Sequence, residues 1–369
     1  MEETVERMTS LMPSCGITRL ADITGLDRIG VPVAMACRPN ARSVSVSQGK
    51  GLTFVAAAAS ALVEAMELYH AEDVLTPVLY ASAARMAESG QPMVLEGLSR
   101  ETEASLDPHR SFAWTAAQDL RSGRHAWLPH DLIHADLTGA QPPGGGFIIS
   151  SNGLAGGNSR TEAAIHGLCE VIERDSTARW QALDRSLREG TRLDPGTIID
   201  PDCTMLLERL EGTGFETALW STTGSTGIAS FHAALLDRRD PDGHPGAGDG
   251  CHLSPGIALL RALTEAIQTR LTYIAGARDD LDPEDYRLDL RRDRRNRHEA
   301  LLADRPVLDF RNFPDLSGAT LAGDLAAILE RLAIVGHTAY AVDLSQASIG
   351  LPVLRIVVPG LRLPAEARR

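Results

Sequence analysis

An α+β fold follows from three observations on the sequence. Three long stretches carry the apolar spacing of buried helices, strand-like runs lie before, between and after them, and no linker-like stretch separates the two kinds. We therefore expect an N-terminal segment, 1–40, followed by a single large domain with mixed sheets over 41–369.

In chain order, 31–37 (VPVAMAC) is apolar enough for a buried strand, and 42–47 (RSVSVS) alternates like a second. Gln48, Gly49, Lys50 and Gly51 then read as a glycine loop entering an alanine-rich helix over about 53–70. Such a loop can cradle phosphate with backbone N–H groups, and Lys50 adds positive charge; a tight turn with an exposed lysine explains the same residues. It is not a P-loop, because Val44 and Gly51 stand where Gly and Ser or Thr are required. Segment 111–133 reads as a hairpin turning at Arg121, Ser122 and Gly123, and 141–146 (QPPGGG) as a flexible approach to a strand FIIS. The run 152–158 (NGLAGGN) leads into the second helix, 159–180, with Asn158 or Ser159 as N-cap and Ala163, Leu168, Val171 and Ile172 on one stripe. Further on, 215–221 and 228–236 pair as strands around Gly224, 237–250 is too rich in Pro, Gly and Asp to be regular, and 253–275 is the third helix. The arginine- and aspartate-dense 281–297 reads as solvated surface, and a helix near 321–332 and strands near 339–343 and 353–358 close the domain.

Composition narrows the function classes. A formal charge of −13, with the acids spread along the chain, argues against non-specific nucleic-acid binding. No apolar run reaches the ~20 residues of a membrane helix, and MEETVERMTS lacks the regions of a signal peptide, so a cytoplasmic protein is expected. The cysteines Cys15, Cys37, Cys169, Cys203 and Cys251 are scattered without a CxxC. Neither a zinc site nor a disulfide framework is expected from them, and Cys251-His252 reads as a loop dipeptide.

The chemistry concentrates in acids on the three helices. Glu170 and Glu173, three residues apart, leave one face of the second helix as neighbours, with Glu162 two turns earlier. Glu64 and Glu67 repeat that spacing on the first helix, and Glu265 and Gln268 on the third. Aligning Ser60, His166 and Arg261 superimposes the three pairs, which raises an internal threefold repeat as an open alternative. Acid pairs on buried helices need a cation. Mg2+ takes hard oxygen ligands shared between a few carboxylates and phosphate oxygens, so Glu64, Glu67, Glu170 and Glu173 suit two such ions beside a nucleotide. Arg174, Lys50 and one of Arg261 or Arg270 would face the remaining phosphate charge. A di-iron site would want Glu-x-x-His on two helices; Glu67 and His70 fit once, but Ser176 stands where the second histidine would be.

These residues carry a resemblance. SQGKG, SALVEAMELYHAE, SNGLAGGNSRTEAAIHGLCEVIERD, LLRALTEAIQTRLTYIAGARDDL and VVPGL together resemble the YcaO family over 42–361. Ser60, Glu64 and Glu67 match its Ser-x3-Glu-x2-Glu motif; Asn158, Glu162, Glu170, Glu173 and Arg174 match its Asn-x3-Glu-x7-Glu-x2-Glu-Arg motif. The resemblance implies ATP and Mg2+ as cofactors. Glu64, Glu67, Glu170 and Glu173 would be metal ligands, with Ser60, Asn158, Glu162 and Arg174, and from the third motif Gln268 and Arg270, around the nucleotide. It also implies activation of a peptide backbone amide by phosphorylation of its carbonyl oxygen, in the modification of ribosomal peptides or proteins. Segment 274–281 (IAGARDDL) is similar to stand-alone members that form thioamides with a TfuA-type partner. Azoline-forming cyclodehydratases often end in a PxPxP tail, whereas this chain ends LRLPAEARR, and from its length, about that of the family domain alone, no fused zinc- or leader-binding domain is expected. Thioamide formation is therefore the expected reaction and cyclodehydration the alternative. The expected partners are a precursor peptide or protein substrate, a TfuA-like protein and, in a homodimer, a second copy of the chain. An idle peptide-binding scaffold is the alternative from another class; it would leave the motif acids repelling one another with no ion between them.

Overall fold

The structure is a computed structural model that describes residues 2–101, 106–302 and 305–363. The chain starts with α1 (Glu2–Leu11), β1 (Arg19–Asp22), β2 (Val33–Cys37), β3 (Val46–Lys50) and α2 (Phe54–Glu72). It continues through β4 (Val78–Ser82), α3 (Ala83–Glu88), β5 (Ser111–Asp119), β6 (His125–Pro129), β7 (Leu154–Gly156) and α4 (Arg160–Gln181). Next come α5 (Arg185–Glu189), α6 (Pro201–Gly212), β8 (Phe215–Ser221), β9 (Ala229–Asp237), β10 (Gly246–His252) and α7 (Pro255–Ala275). It closes with α8 (Leu288–Leu302), α9 (Leu321–Ile334), β11 (Tyr340–Asp343) and β12 (Val353–Val357). The α+β class, the hairpin β5–β6 and the three acid-bearing helices α2, α4 and α7 are as expected from the sequence.

The chain divides into two compact units: Met1–Pro39, Val44–Ala65 and Arg179–Ser317 in the first, Asn40–Ser43, Met66–Ala178 and Gly318–Arg369 in the second. The first unit holds two antiparallel three-stranded sheets, β1-β2-β3 and β10-β9-β8. Its core joins Val33 and Met35 of β2, Leu206 and Leu210 of α6, Phe231 and Leu235 of β9, and Leu259, Leu263 and Ile267 of α7.

Glycine decides how closely strands approach helices in this unit. Gly246, Gly248 and Gly250 alternate on one face of β10, and Ala258, Ala262 and Ala266 recur every fourth residue on α7. A Cβ on Gly248 would stand 2.3 Å from Ala266 N and 2.5 Å from Ala262 O; one on Gly250 would stand 2.1 Å from Ala258 O. Segment 237–250 was expected to be irregular; its last residues, 246–250, are instead strand, because these glycines admit a helix backbone. Cys251 accordingly lies buried in β10 and not in a loop. The same device recurs at Gly49, whose Cβ would stand 2.1 Å from both Ala57 O and Ala61 N of α2. Residues 48–50 are thus the end of β3 and not the expected phosphate loop or turn, and the strand begins at Val46, not Arg42.

The second unit is built on a six-stranded antiparallel sheet in the order β4-β5-β11-β12-β7, with β6 also paired to β5. Phe112, Trp114 and Phe147 form an aromatic core beside it, the first two stacked at 4.4 Å. The expected strand FIIS is reduced to a single bridge at Phe147. The buried Asp131 carboxylate accepts the N–H groups of Gly146 and Phe147, each at 3.0 Å, and ties this segment down more firmly than its glycines suggest. The chain's last residues, 364–369, on which the tail comparison rests, lie outside the described residues.

The glycine contacts yield a paired expectation. Gly248→Ala should destabilise the protein by about 1–3 kcal/mol, since backbone atoms cannot move aside. Gly212→Ala, with nothing within 4 Å of the new Cβ at the end of α6, should be neutral or stabilising. Urea melts of the two variants check this, and an equal loss in both would contradict the packing argument.

Candidate functional site

Within the second unit the motif acids are set by one sheet edge and one helix start. Strand β7 pairs with β12 in the register Leu154↔Arg355, Ala155↔Leu354 and Gly156↔Val353. Gly153, with φ +74°, sits so close that a Cβ would stand 2.2 Å from Ile356 O, and a Cβ on Gly167 of α4 would stand 2.6 Å from Ile356 Cγ1. The glycines of NGLAGGN therefore serve close packing of this loop. Held in this way, Gly156 donates its N–H to Glu67 Oε1.

At the start of α4, Ser159 Oγ accepts from Glu162 N at 3.1 Å, and Glu162 Oε2 accepts from Asn158 N at 2.9 Å. Of the two N-cap candidates, Ser159 is the cap, and Glu162 closes the turn with its own carboxylate. Ala163, Leu168, Val171 and Ile172 are all buried, as their stripe predicts, and so is Glu173 at 4 % exposure. Glu170 is half-buried, and Arg174 lies one turn on with its Nη2 3.8 Å from the Glu170 carboxylate. Arg174 keeps 42 % of its side chain exposed. His70 is fully buried with Nδ1 2.6 Å from Met66 O of its own helix, which makes it a core residue.

Sequence reasoning missed Arg355 of β12. It is fully buried, and its Nε and Nη1 donate to Ile133 O at 3.1 Å and Asn152 O at 2.9 Å. Burial pulls its guanidinium down to about 10, against which the charges of Glu170 and then Glu67 push it up. The signal was present: a lone arginine in the apolar run LPVLRIVVPG must find partners inside the protein.

In the first unit, Ser60 and Glu64 lie half-buried on α2. The charge nearest in kind to them comes from the residues after α7. Arg278 grips Asp280 with two bonds, Nε to Oδ1 at 2.8 Å and Nη2 to Oδ2 at 2.5 Å. This pairing raises the arginine further above its ordinary range, aided less strongly by the charges of Asp280 and Glu64, and holds the Asp280 carboxyl below its own. Asp279 beside it accepts the Ser45 N–H at 3.1 Å. The IAGARDDL segment thus carries a built-in ion pair within electrostatic reach of Glu64, which sequence reading had used only for its resemblance.

Three expected nucleotide contacts from this unit are corrected or narrowed. Arg270 is buried, and Nε, Nη1 and Nη2 donate respectively to Asp27, to His244 O and to Asp237, so its guanidinium is engaged within the core. Lys50 is paired with Glu265 of α7, with 17 % of its side chain exposed. Its charge is already matched, contrary to both a free phosphate ligand and an exposed turn lysine. Gln268 donates from Nε2 to Gln48 O at 2.8 Å, which ties α7 to β3. That bond leaves its amide oxygen to accept from a ligand.

Among the described residues no three His, Cys, Asp or Glu side chains stand close enough to enclose an ion. Mg2+ needs no such group, since it keeps waters and takes phosphate oxygens beside one or two carboxylates. The donor set is compatible with it: carboxylate oxygens on α2 and α4, with His166 exposed on α4 one turn before Glu170 and its Nδ1 3.3 Å from Gly156 O. No helix is long and apolar enough to cross a membrane among the described residues.

The profile of the family described as YcaO cyclodehydratase, ATP- and Mg2+-binding, matches residues 48–362. A protein encoded in the tfuA 3′ region of Rhizobium leguminosarum bv. trifolii is 35 % identical over 357 residues, covering 94 % of this chain and 84 % of its own. YcaO from Methanopyrus kandleri, solved with AMPPCP and Mg2+, superposes with a TM-score of 0.76 at 23 % identity, covering 99 % of this chain and 93 % of its own. A heterocyclase solved with substrate and cofactor superposes with a TM-score of 0.81 at 24 % identity; this chain is covered to 98 % but spans about half, 52 %, of that protein. With motif residues in place on α2 and α4 and a family match over nearly its full length, the chain belongs to the YcaO family of ATP- and Mg2+-binding proteins.

Proposed function

We propose that this protein activates a peptide backbone amide with ATP and Mg2+ and converts it to a thioamide, acting with a TfuA-type partner on a precursor peptide or protein. The observation that carries the reading is the intact pair of motifs, Ser60/Glu64/Glu67 and Asn158/Glu162/Glu170/Glu173/Arg174, set on α2 and α4 in a chain whose relative is encoded beside tfuA. The chemistry would run through one YcaO domain over 41–369 after the segment 1–40. Sulfide adds to the amide carbon, the carbonyl oxygen takes the γ-phosphoryl group of ATP, and that oxygen leaves as phosphate. The balance is amide, hydrogen sulfide and ATP giving thioamide, ADP, phosphate and a proton.

The residues have distinct parts in this reading. Glu64, Glu67, Glu170 and Glu173 would hold Mg2+, which supplies positive charge against the phosphates. Gly156 N–H orients the Glu67 carboxylate, and the exposed Arg174 offers a planar donor fork to a phosphate oxygen. Ser60, Asn158 and Gln268 would contact the nucleotide by hydrogen bonds, and Glu162 holds the start of α4 toward it. Azoline-forming cyclodehydration is the second reading, supported by the family description and by the likeness to a heterocyclase. The two differ only in the nucleophile: external sulfide in one, a neighbouring Cys, Ser or Thr side chain in the other. Mass spectrometry of a precursor peptide incubated with ATP, sulfide and the TfuA-like protein separates them. Exchange of oxygen for sulfur supports thioamidation, and loss of one water supports cyclodehydration.

Three expectations follow for the site. ATP should bind weakly without Mg2+, since carboxylates and triphosphate repel; equal affinity in EDTA by calorimetry would remove the site. Glu173→Gln should keep or raise the melting temperature of the nucleotide-free protein, because it relieves buried acid repulsion, and lower ATP turnover by about two orders of magnitude or more. The scaffold alternative expects the reverse: a lower melting temperature with partner binding unchanged. Lys50→Ala, which leaves Glu265 unmatched, should cost on the order of 1 kcal/mol of stability with ATP affinity unaltered. A tenfold loss of ATP affinity (about 1.4 kcal/mol) would mean that the lysine leaves Glu265 for a phosphate.

A further inference from the structure

Arg355 has a position that its hydrogen bonds alone do not account for. It occupies the middle of β12, a strand flanked on both sides by β11 and β7, and no part of it reaches solvent. Two of its nitrogens are used by the carbonyls of Ile133 and Asn152, while Nη2 is buried with no hydrogen-bond partner among the described residues. Burying a guanidinium costs several kcal/mol unless opposite charge stands near, and the carbonyls supply dipoles but no charge. The opposite charges within reach are Glu170 of α4 and Glu67 of α2. Glu67 is held by Gly156 N–H, and Gly156 lies on the strand that pairs with β12; Arg355 also holds Asn152, at the head of the same loop. The arginine therefore fixes both the charge balance of the two acids and the loop that orients one of them.

We propose that Arg355 is a positioning residue that serves as a built-in counter-cation for Glu67 and Glu170, holding both carboxylates in place before metal and nucleotide arrive. This rests on the reading of Glu67 and Glu170 as metal ligands. The guanidinium holds the empty acids together without a bound ion, and its positive charge opposes entry of a divalent cation. Metal then binds well only with the phosphates of the nucleotide, which restore negative charge. Arg355 in this way couples metal binding to nucleotide binding.

The test is Mn2+ binding by the nucleotide-free protein, followed by electron paramagnetic resonance, in wild type, Arg355→Gln and Arg355→Lys. Removing a unit charge in a partly screened interior should raise Mn2+ affinity in Arg355→Gln by about tenfold or more. Arg355→Lys, which keeps the charge, should stay near wild type. Unchanged or weaker binding in Arg355→Gln, or equal gains in both variants, overturns the proposal; a purely structural arginine would lower the melting temperature without altering Mn2+ affinity. Glu67→Gln and Glu170→Gln in the wild-type background test the underlying reading separately. If neither weakens Mn2+ binding, the metal assignment fails; if they do and Arg355→Gln has no effect, only the role of Arg355 fails. Should Arg355→Gln not fold, adding Glu170→Gln should restore folding by removing the unmatched charge, and continued failure of the double variant also overturns the proposal.

Discussion

Carboxylates on buried helices lose hydration and repel one another, and each unit of this protein answers that cost with positive or N–H partners, most of them from outside the helix that carries the acid. In the second unit Glu67 receives a backbone N–H from Gly156, Glu162 receives one from Asn158, and Arg174 and Arg355 stand within reach of Glu170. In the first unit Glu265 is matched by Lys50, and Arg278 with Asp280 lies within reach of Glu64. A backbone N–H can be aimed only if its loop is rigid. That is why the β7–β12 register, and the glycines that let the loop press on Ile356, bear on the chemistry and not merely on the fold.

The second constraint is distance of approach. Strand-borne glycines opposite helix alanines spaced by four let β10 meet α7, and β3 meet α2, closer than any side chain would permit. The contact brings Gln268 to Gln48 O and Lys50 to Glu265, so polar bonds between α7 and β3 follow from the small residues beside them. Four of the five cysteines, Cys15, Cys169, Cys203 and Cys251, are buried in this interior, and burial raises the thiols of Cys15, to about 11, and Cys203. Cys15 and Cys203 are packing residues, with little thiolate to react.

Two arginines of the acid-rich helices show how burial sorts like residues into unlike roles. Arg174 keeps 42 % of its side chain exposed, with the Glu170 carboxylate 3.8 Å from its Nη2. Arg270 is enclosed by Asp27, Asp237 and the ring of Phe215, and its three nitrogens are taken. Removing Arg270 would leave the side chains of Asp27 and Asp237 short of their partner, an effect on folding.

The periodicity of apolar residues was enough to place α2, α4 and α7, since a buried stripe must recur with the helical repeat whatever lies opposite it. The spacing of acids along those helices is likewise local, so Glu64 with Glu67 and Glu170 with Glu173 were legible, as were the motifs that carry the family resemblance. Glycine was misread at 48–51 and 246–250 because its local meaning, a turn or a break, is the opposite of its meaning under a packed helix. The partners of charged groups were also beyond sequence reading. Arg270 with Asp27 and Lys50 with Glu265 are pairs hundreds of residues apart, as is Arg355 with Ile133 and Asn152, and only the folded chain brings them within bonding distance. Local pattern determined which residues carry charge on which helix; tertiary structure determined which of those charges are already matched, because Coulomb attraction and hydrogen bonding depend on distance in space and not along the chain.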